Sequence, residues 1–290
     1  MIPFAEAIAS RKVFIIDGAM GTQLSARGGT PGPAANLNCP ELVKAIHAEY
    51  KRAGAHIILT NTLTANRIAL EHAGLADKIR EINETGVKLA RQAVGDECWV
   101  CGDMSSTGKF LEPLGDYTED QFYDCFAEQA AILAKAGVDL IIIETMTDVR
   151  EAAIAAKAAK AAAGLPVIAC IAFDPAKNGE YRTMMGDTVE RAVEELADAG
   201  ADAIGANCGT IDPIEMSEVI ARMKSFTNMV LVAEPNAGKP ELAAGEVTFK
   251  LSPEEFAEGV VRCVEAGATL VGGCCGTTPA HIAALASRQL

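Results

Sequence analysis

Eight short apolar runs recur along the 290-residue chain, each followed by a polar or glycine-bearing stretch and then by a segment of helical periodicity. The runs occupy residues 13–17, 56–60, 99–103, 140–144, 167–173, 203–207, 229–234 and 269–273. They are rich in Val, Ile and Leu without clear polar alternation, as in strands of a parallel sheet covered on both faces. Helices are predicted over 40–53, 78–93, 118–136, 149–163, 188–199, 213–224, 252–266 and 279–288. Thr118 and Ser252 stand as N-caps, with Gln121 and Glu255 at capping-box spacing. Gly54, Gly137, Gly200 and Gly267 each follow an alanine at a helix end and precede a new strand. Eight strand–helix units in a chain of this length predict a single (β/α)8 TIM barrel spanning residues 1–290. The runner-up is an open doubly wound sheet, which favours a Gly-x-Gly-x-x-Gly turn after the first strand. Asp17-Gly18-Ala19-Met20-Gly21-Thr22 is not one. The polar segment 24–38, with Gly28-Gly29 and Pro31-Gly32-Pro33, is expected to fold over one end of the barrel, as a lid or as an inert surface loop.

Charge narrows the partners. With 39 acidic against 25 basic residues the net charge is -14, which disfavours nucleic acid and anionic membrane surfaces. No run approaches the ~18 apolar residues of a membrane span, and the first residues lack signal-peptide architecture. Nine cysteines without an export signal point to reduced thiols and a cytoplasmic protein rather than a disulfide framework.

Active sites of such barrels form at the C-terminal ends of the strands. There the chain carries Asp17-Gly18, Thr60-Asn61-Thr62, Glu144-Thr145, Asn207-Cys208, Glu234-Pro235-Asn236 and Cys274-Cys275. Strands six and eight are near neighbours in a closed barrel, so Cys208 comes within reach of Cys274 and Cys275. Three thiolates with one position left open suit Zn²⁺, and such a site favours thiol chemistry over hydroxide formation. Cys39, Cys98, Cys101, Cys125, Cys170 and Cys263 read as small buried hydrophobes. Asp17 and Glu144 end apolar strands, where an unpaired carboxylate is costly; a substrate ammonium or an internal partner would satisfy them. Backbone amides of Gly18, Ala19, Gly21 and Thr22 suit a substrate carboxylate. The four histidines, His47, His56, His72 and His281, carry no ligand spacing and read as surface or packing residues. A metal-dependent hydrolase or lyase, and a non-catalytic binding partner, stay open beside a thiol methyltransferase.

These motifs, with Gly205-Ala206-Asn207-Cys208, Pro235-Asn236-Ala237-Gly238 and Gly272-Gly273-Cys274-Cys275-Gly276-Thr277-Thr278-Pro279, resemble the homocysteine S-methyltransferase family, and most of all its cobalamin-dependent branch. The resemblance covers essentially the whole chain. It implies methyl transfer to L-homocysteine, giving methionine, with Cys208, Cys274 and Cys275 as zinc ligands. It implies that Asp17 and Glu144 hold the substrate amino group, with Gly18, Ala19, Gly21 and Thr22 at its carboxylate and Asn61, Asn207 and Asn236 also at the substrate. It further implies that Asn236 fills the open zinc position when substrate is absent. The donor it implies is methylcobalamin or another methylcorrinoid. No Asp-x-His-x-x-Gly corrinoid motif occurs in these residues, so a separate corrinoid protein is the expected carrier. S-methylmethionine or S-adenosylmethionine is the alternative donor, and a related thiol the alternative acceptor. Leu63 stands where the family commonly has Phe after Thr-Asn-Thr.

Overall fold

Each predicted apolar run becomes a strand of one parallel sheet. The computed structural model describes residues 2–10, 12–243 and 246–290. Its barrel strands are β1 (Phe14–Ile15), β2 (Ile57–Leu59), β3 (Trp99–Met104), β4 (Leu140–Met146), β5 (Val167–Ile171), β6 (Ala203–Asn207), β7 (Val230–Glu234) and β8 (Ala268–Val271). They pair in the order β1-β8-β7-β6-β5-β4-β3-β2. A parallel bridge between Ile16 and Ile57 joins the two ends, with His56 N donating to Ile15 O at 2.7 Å and Asp17 N to Ile57 O at 3.0 Å. The barrel is thus nearly closed, as the runs predict.

The helices alternate with the strands and cover them. Thr118 and Ser252 form the expected capping boxes, and Asp212 forms a third with Glu215. The alanines of Val149–Ala163 are buried on most sides, which lets this helix pack closely between strands and neighbours. Four short helices were not expected from periodicity. Phe4–Ala9 is a short helix, Arg67–His72 follows β2, and the 24–38 segment contributes to the helices Gly21–Ala26 and Ala35–Asn38.

Two hydrophobic layers result. The larger lies between barrel and helices; the smaller fills the barrel with Ile16, Ile57, Trp99, Cys101, Leu140, Ile142, Ile168, Cys170, Val232 and Leu270. Phe4 packs edge-on to Trp99 (centroids 5.5 Å apart) within this inner layer, so the first helix contributes to the barrel's core. The inward register follows the strand period of two. It runs Trp99, Cys101, Asp103 on β3 and Leu140, Ile142, Glu144 on β4; on β7 it runs Val230, Val232, Glu234. The filling is apolar below and acidic above.

Gly205 on β6 makes this packing achievable. A Cβ built there would lie 2.1 Å from the Val232 carbonyl oxygen of β7, so the strands cannot accommodate a side chain without moving apart. Gly205→Ala is expected to destabilise the fold by about 1–3 kcal/mol, the usual scale of core overpacking. A denaturant midpoint equal to wild type would contradict this. Because Asn207 and Cys208 follow on the same strand end, the variant should also disturb the site.

Candidate active site

The acidic strand ends and the three thiols meet in one cavity. It measures about 190 Å³ and is lined by residues from the ends of β1, β2, β3, β4, β6 and β8. Asp17, Gly18, Ala19, Gly21, Thr22, Asn61, Glu144, Cys208, Cys274 and Cys275 all line it. Asn207 and Asn236 do not. Both are buried, and each is engaged with the protein.

The thiols are positioned by backbone. Cys208 sits just past β6 with φ of 55°, a left-handed conformation rare outside glycine, and its N–H donates to Glu234 O at 3.2 Å. Cys274 N donates to Pro235 O at 2.9 Å, and Cys275 O accepts from Ala237 N at 2.9 Å. The β8 loop is also tied to the β1 loop. Thr277 Oγ1 donates to Cys274 O (2.7 Å) and accepts from Ala19 N (3.0 Å), while Gly276 N donates to Thr22 Oγ1 (3.3 Å).

The three Sγ atoms lie within 4.8 Å of one another, and Cys208 Sγ is 4.0 Å from Cys275 Sγ. A tetrahedral Zn²⁺ with Zn–S of ~2.3 Å separates its sulfurs by about 3.8 Å. The spacing and the all-thiol donor set therefore fit zinc. In the metal-free cluster the protons are unevenly shared. Hydrogen bonds from Cys208 and Cys274 pull Cys275 down to about 4. For Cys208, the hydrogen bond with Cys274 lowers the value, but that with Cys275 and burial outweigh it and push the thiol up to about 12. Hydrogen bonding to Cys208 and Cys275 raises Cys274 as well.

The same cavity holds carboxyl groups with no cation among its lining residues. Asp17 Oδ2 accepts from Leu59 N at 3.2 Å, while Oδ1 has no partner. Burial, then the charge of Cys208, pushes Glu144 up to about 8. Asn207 clamps the end of β4: its Nδ2 donates to Glu144 Oε2 (2.8 Å) and Thr145 Oγ1 (2.9 Å), and its Oδ1 accepts from Thr145 N (2.7 Å). This grip holds Thr145 at φ of 59°, an unusual conformation for a β-branched residue. Asn207 thus positions a cavity carboxylate. Asn236 donates from Nδ2 to Gly209 O at 2.9 Å, and its buried Oδ1 has no partner.

Two further acidic residues complete the upper layer: Asp103, not singled out from sequence, and Glu234, expected at a strand end facing the site. Asp103 lines the cavity and Glu234 lies buried outside its lining; both are raised well above the usual carboxylate range, chiefly by burial and then by Glu144. Their sequence signal is the inward period-two register of β3 and β7, which places each above an apolar inner-layer residue.

The 24–38 segment reaches the mouth. Gly32 and Pro33 line the cavity, and Asn61 holds them there: its Nδ2 donates to Gly32 O (3.1 Å) and Asn36 Oδ1 (3.0 Å), and Asn36 Nδ2 returns a bond to Asn61 O (2.8 Å). Of the turn amides, that of Ala19 is spent on Thr277. Those of Gly21 and Thr22, at the first turn of a helix, have no internal acceptor among the described residues.

Histidines take no part in the cavity. His47 is wholly buried without a partner and burial lowers it to about 3; His281 bonds the Leu251 carbonyl at 3.1 Å. Cys98, Cys101, Cys125, Cys170 and Cys263 are buried as expected, and Cys39 is half-buried. No helix among the described residues is long and apolar enough to cross a membrane.

Comparison with known proteins agrees with this geometry. The methionine synthase of Mycobacterium tuberculosis is 34% identical over 97% of this chain, and that of Mycobacterium leprae 33% identical over 97%. The chain spans about a quarter of their length (25% and 24%). The metallated crystal structure of the homocysteine methyltransferase MmuM from Escherichia coli superimposes with a TM-score of 0.79 at 26% identity, covering 99% of this chain and 100% of that one. A family model described as homocysteine S-methyltransferase matches residues 14–289, and the chain belongs to that family.

Proposed function

We propose that residues 1–290 act as one homocysteine-binding barrel that transfers a methyl group to the thiol of L-homocysteine, giving methionine, in the cytoplasm. The observation that carries this reading is the single cavity that brings together three clustered thiols and carboxyl groups without a cation. A bifunctional small molecule with a thiol and an ammonium group complements both.

Cys208, Cys274 and Cys275 would hold Zn²⁺. When bound, the metal supplies the charge that keeps a substrate thiol deprotonated at neutral pH, where a free thiol of pKa ~8.5 is mostly protonated. The protein's own groups do the rest. Asp17 and Glu144 take the ammonium, and Asn207 fixes the direction of Glu144. The free amides of Gly21 and Thr22 face the carboxylate, with Gly18 and Ala19 shaping the turn. Asn61 keeps the Gly32–Pro33 segment over the cavity and limits water. The unpartnered Oδ1 of Asn236 supports a supplementary ligand role when substrate is absent. In the reaction the thiol proton leaves to solvent, the sulfur–methyl bond forms, and the donor–methyl bond breaks.

For the donor, the likeness to methionine synthases favours a methylcorrinoid, carried outside residues 1–290. A second reading has its own support. The MmuM homocysteine methyltransferase is matched over 100% of its chain, and S-methylmethionine or S-adenosylmethionine is the alternative donor kept for this barrel. The test is anaerobic mixing of zinc-loaded protein, L-homocysteine and free methylcobalamin, with S-methylmethionine and S-adenosylmethionine in parallel tubes. Protein-dependent loss of methylcobalamin with methionine formed is the expected result. Turnover only with a sulfonium donor selects the second reading. Homocysteine binding without turnover from any donor, even with a corrinoid protein added, would leave a binding protein and overturn the enzyme reading.

A further inference from the structure

Asp103 has no structural use for its carboxyl group. It is 6% exposed and lines the cavity beside Asp17 and Glu144, yet its Oδ1 has no hydrogen-bond partner. The two β2-end hydroxyls that reach Asp103 bond its main chain instead. Thr60 Oγ1 accepts from Asp103 N (3.1 Å), Thr62 Oγ1 donates to Asp103 O (2.7 Å), and the two hydroxyls lie 2.6 Å apart. They hold the main chain of β3 and leave the side chain to the cavity. No Lys, Arg or His lines that cavity, so a counter-charge has to arrive with the ligand. A buried carboxyl that gains nothing from the fold is costly to keep.

Counting donors against acceptors gives the group a task. A primary ammonium carries three N–H donors. Asp17 has one oxygen engaged by Leu59 N and one free; Glu144 has one oxygen engaged by Asn207. Each can therefore accept one ammonium bond while keeping its internal partner. Asp103, from a third strand end, offers an acceptor for the third N–H, so that each donor of the ammonium can meet its own carboxyl. Glu234 lies outside the cavity lining and cannot take this place.

We propose that Asp103 is a substrate-binding residue, the third acceptor of a carboxyl cage that selects thiols bearing a primary ammonium group. The proposal rests on the reading of an amino-acid thiol as substrate. It predicts discrimination against the same thiol without its amine and against its N-methyl form, which has one donor fewer.

The test is equilibrium binding by calorimetry to zinc-loaded wild type and Asp103→Asn, with L-homocysteine, its N-methyl derivative and 4-mercaptobutanoate as ligands. For wild type, L-homocysteine should bind best. Asp103→Asn should weaken L-homocysteine at least about tenfold, the scale of one charge-assisted hydrogen bond. It should change 4-mercaptobutanoate less than about twofold, and zinc content should stay equal to wild type. The unfolding temperature of the ligand-free variant should be unchanged or higher, because a repelling, unpartnered group has been removed; a structural role predicts a fall. Asp103→Ser serves as a second variant and should give the same ligand pattern. Equal losses for both thiols, or no loss for homocysteine, would overturn the assignment while leaving the homocysteine reading intact. Absence of homocysteine binding to wild type would overturn both.

Discussion

Cys208→Ala is expected to leave the protein folded, without zinc and without methyl transfer. Removal of a residue that merely supports a metal ligand costs ~10–100-fold in affinity or activity, so loss of a thiolate itself should exceed ~100-fold in both. The fold should tolerate the change. Cys208 lies beyond the end of β6, its main-chain bond to Glu234 O does not involve the side chain, and alanine meets the same left-handed backbone as cysteine. Cys208→Gly relieves that strain yet removes the same sulfur, so a metal deficit in both variants would separate lost ligation from misfolding. Zinc content and far-ultraviolet circular dichroism decide the matter. A variant with normal zinc and normal activity would remove Cys208 from the site. The proton inventory adds a pH signature. With Cys275 lowered to about 4 and Cys208 raised to about 12, and Cys274 raised as well, the free cluster at neutral pH carries one thiolate and two thiols. Filling it with metal then releases about two protons, so apparent zinc affinity should rise about a hundredfold per pH unit near neutrality. A competition titration with a chelator at pH 6, 7 and 8 measures that slope.

The parts of this site that were legible in sequence are those fixed by local pattern. Apolar runs of 5–7 residues, four of them preceded by an Ala-Gly turn, locate every barrel strand, because a strand buried on both faces has no room for polar interruption. Strand ends then collect Asp17, Glu144, Cys208 and the Cys274-Cys275 pair on one face. Contacts of long sequence separation are not legible in the same way. Nothing local says that Phe4 meets Trp99, that Asn61 and Asn36 exchange hydrogen bonds, or that Asn207 turns its side chain to Glu144 rather than to a ligand. Asp103 is an intermediate case. Its strand is readable, and so is the register that points it inward above Cys101. Whether an inward carboxyl finds a partner depends on which side chains the closed barrel brings round, and here it brings only other acids.

Glu144→Gln should weaken L-homocysteine binding by ~1.5–3 kcal/mol, roughly 10–100-fold, with zinc content unchanged. Glutamine has nearly the same shape and keeps an oxygen for Asn207 Nδ2, so the clamp on Thr145 survives and the charge is what is lost. The same substitution should act in the opposite direction on the ligand-free, metal-free fold. Burial, then the charge of Cys208, holds the Glu144 carboxyl at about 8, against 4.5 for an exposed group. Between those values the folded chain keeps a proton that the unfolded chain has released. By linkage this contribution is fully present below pH ~4.5 and is lost as pH rises through ~8. A neutral glutamine has no proton to lose, so the wild type should fall in stability relative to the variant from pH 6 to pH 8. Denaturant unfolding of the metal-free forms at the two pH values, and homocysteine binding to the zinc-loaded forms, test the two halves. A variant that binds homocysteine as wild type does would take Glu144 out of substrate recognition. A variant that binds weakly yet shows no relative gain at pH 8 would mean that the carboxylate is already compensated within the fold. The expected pair of results identifies a charge that costs the empty protein stability and becomes favourable only when an ammonium group arrives.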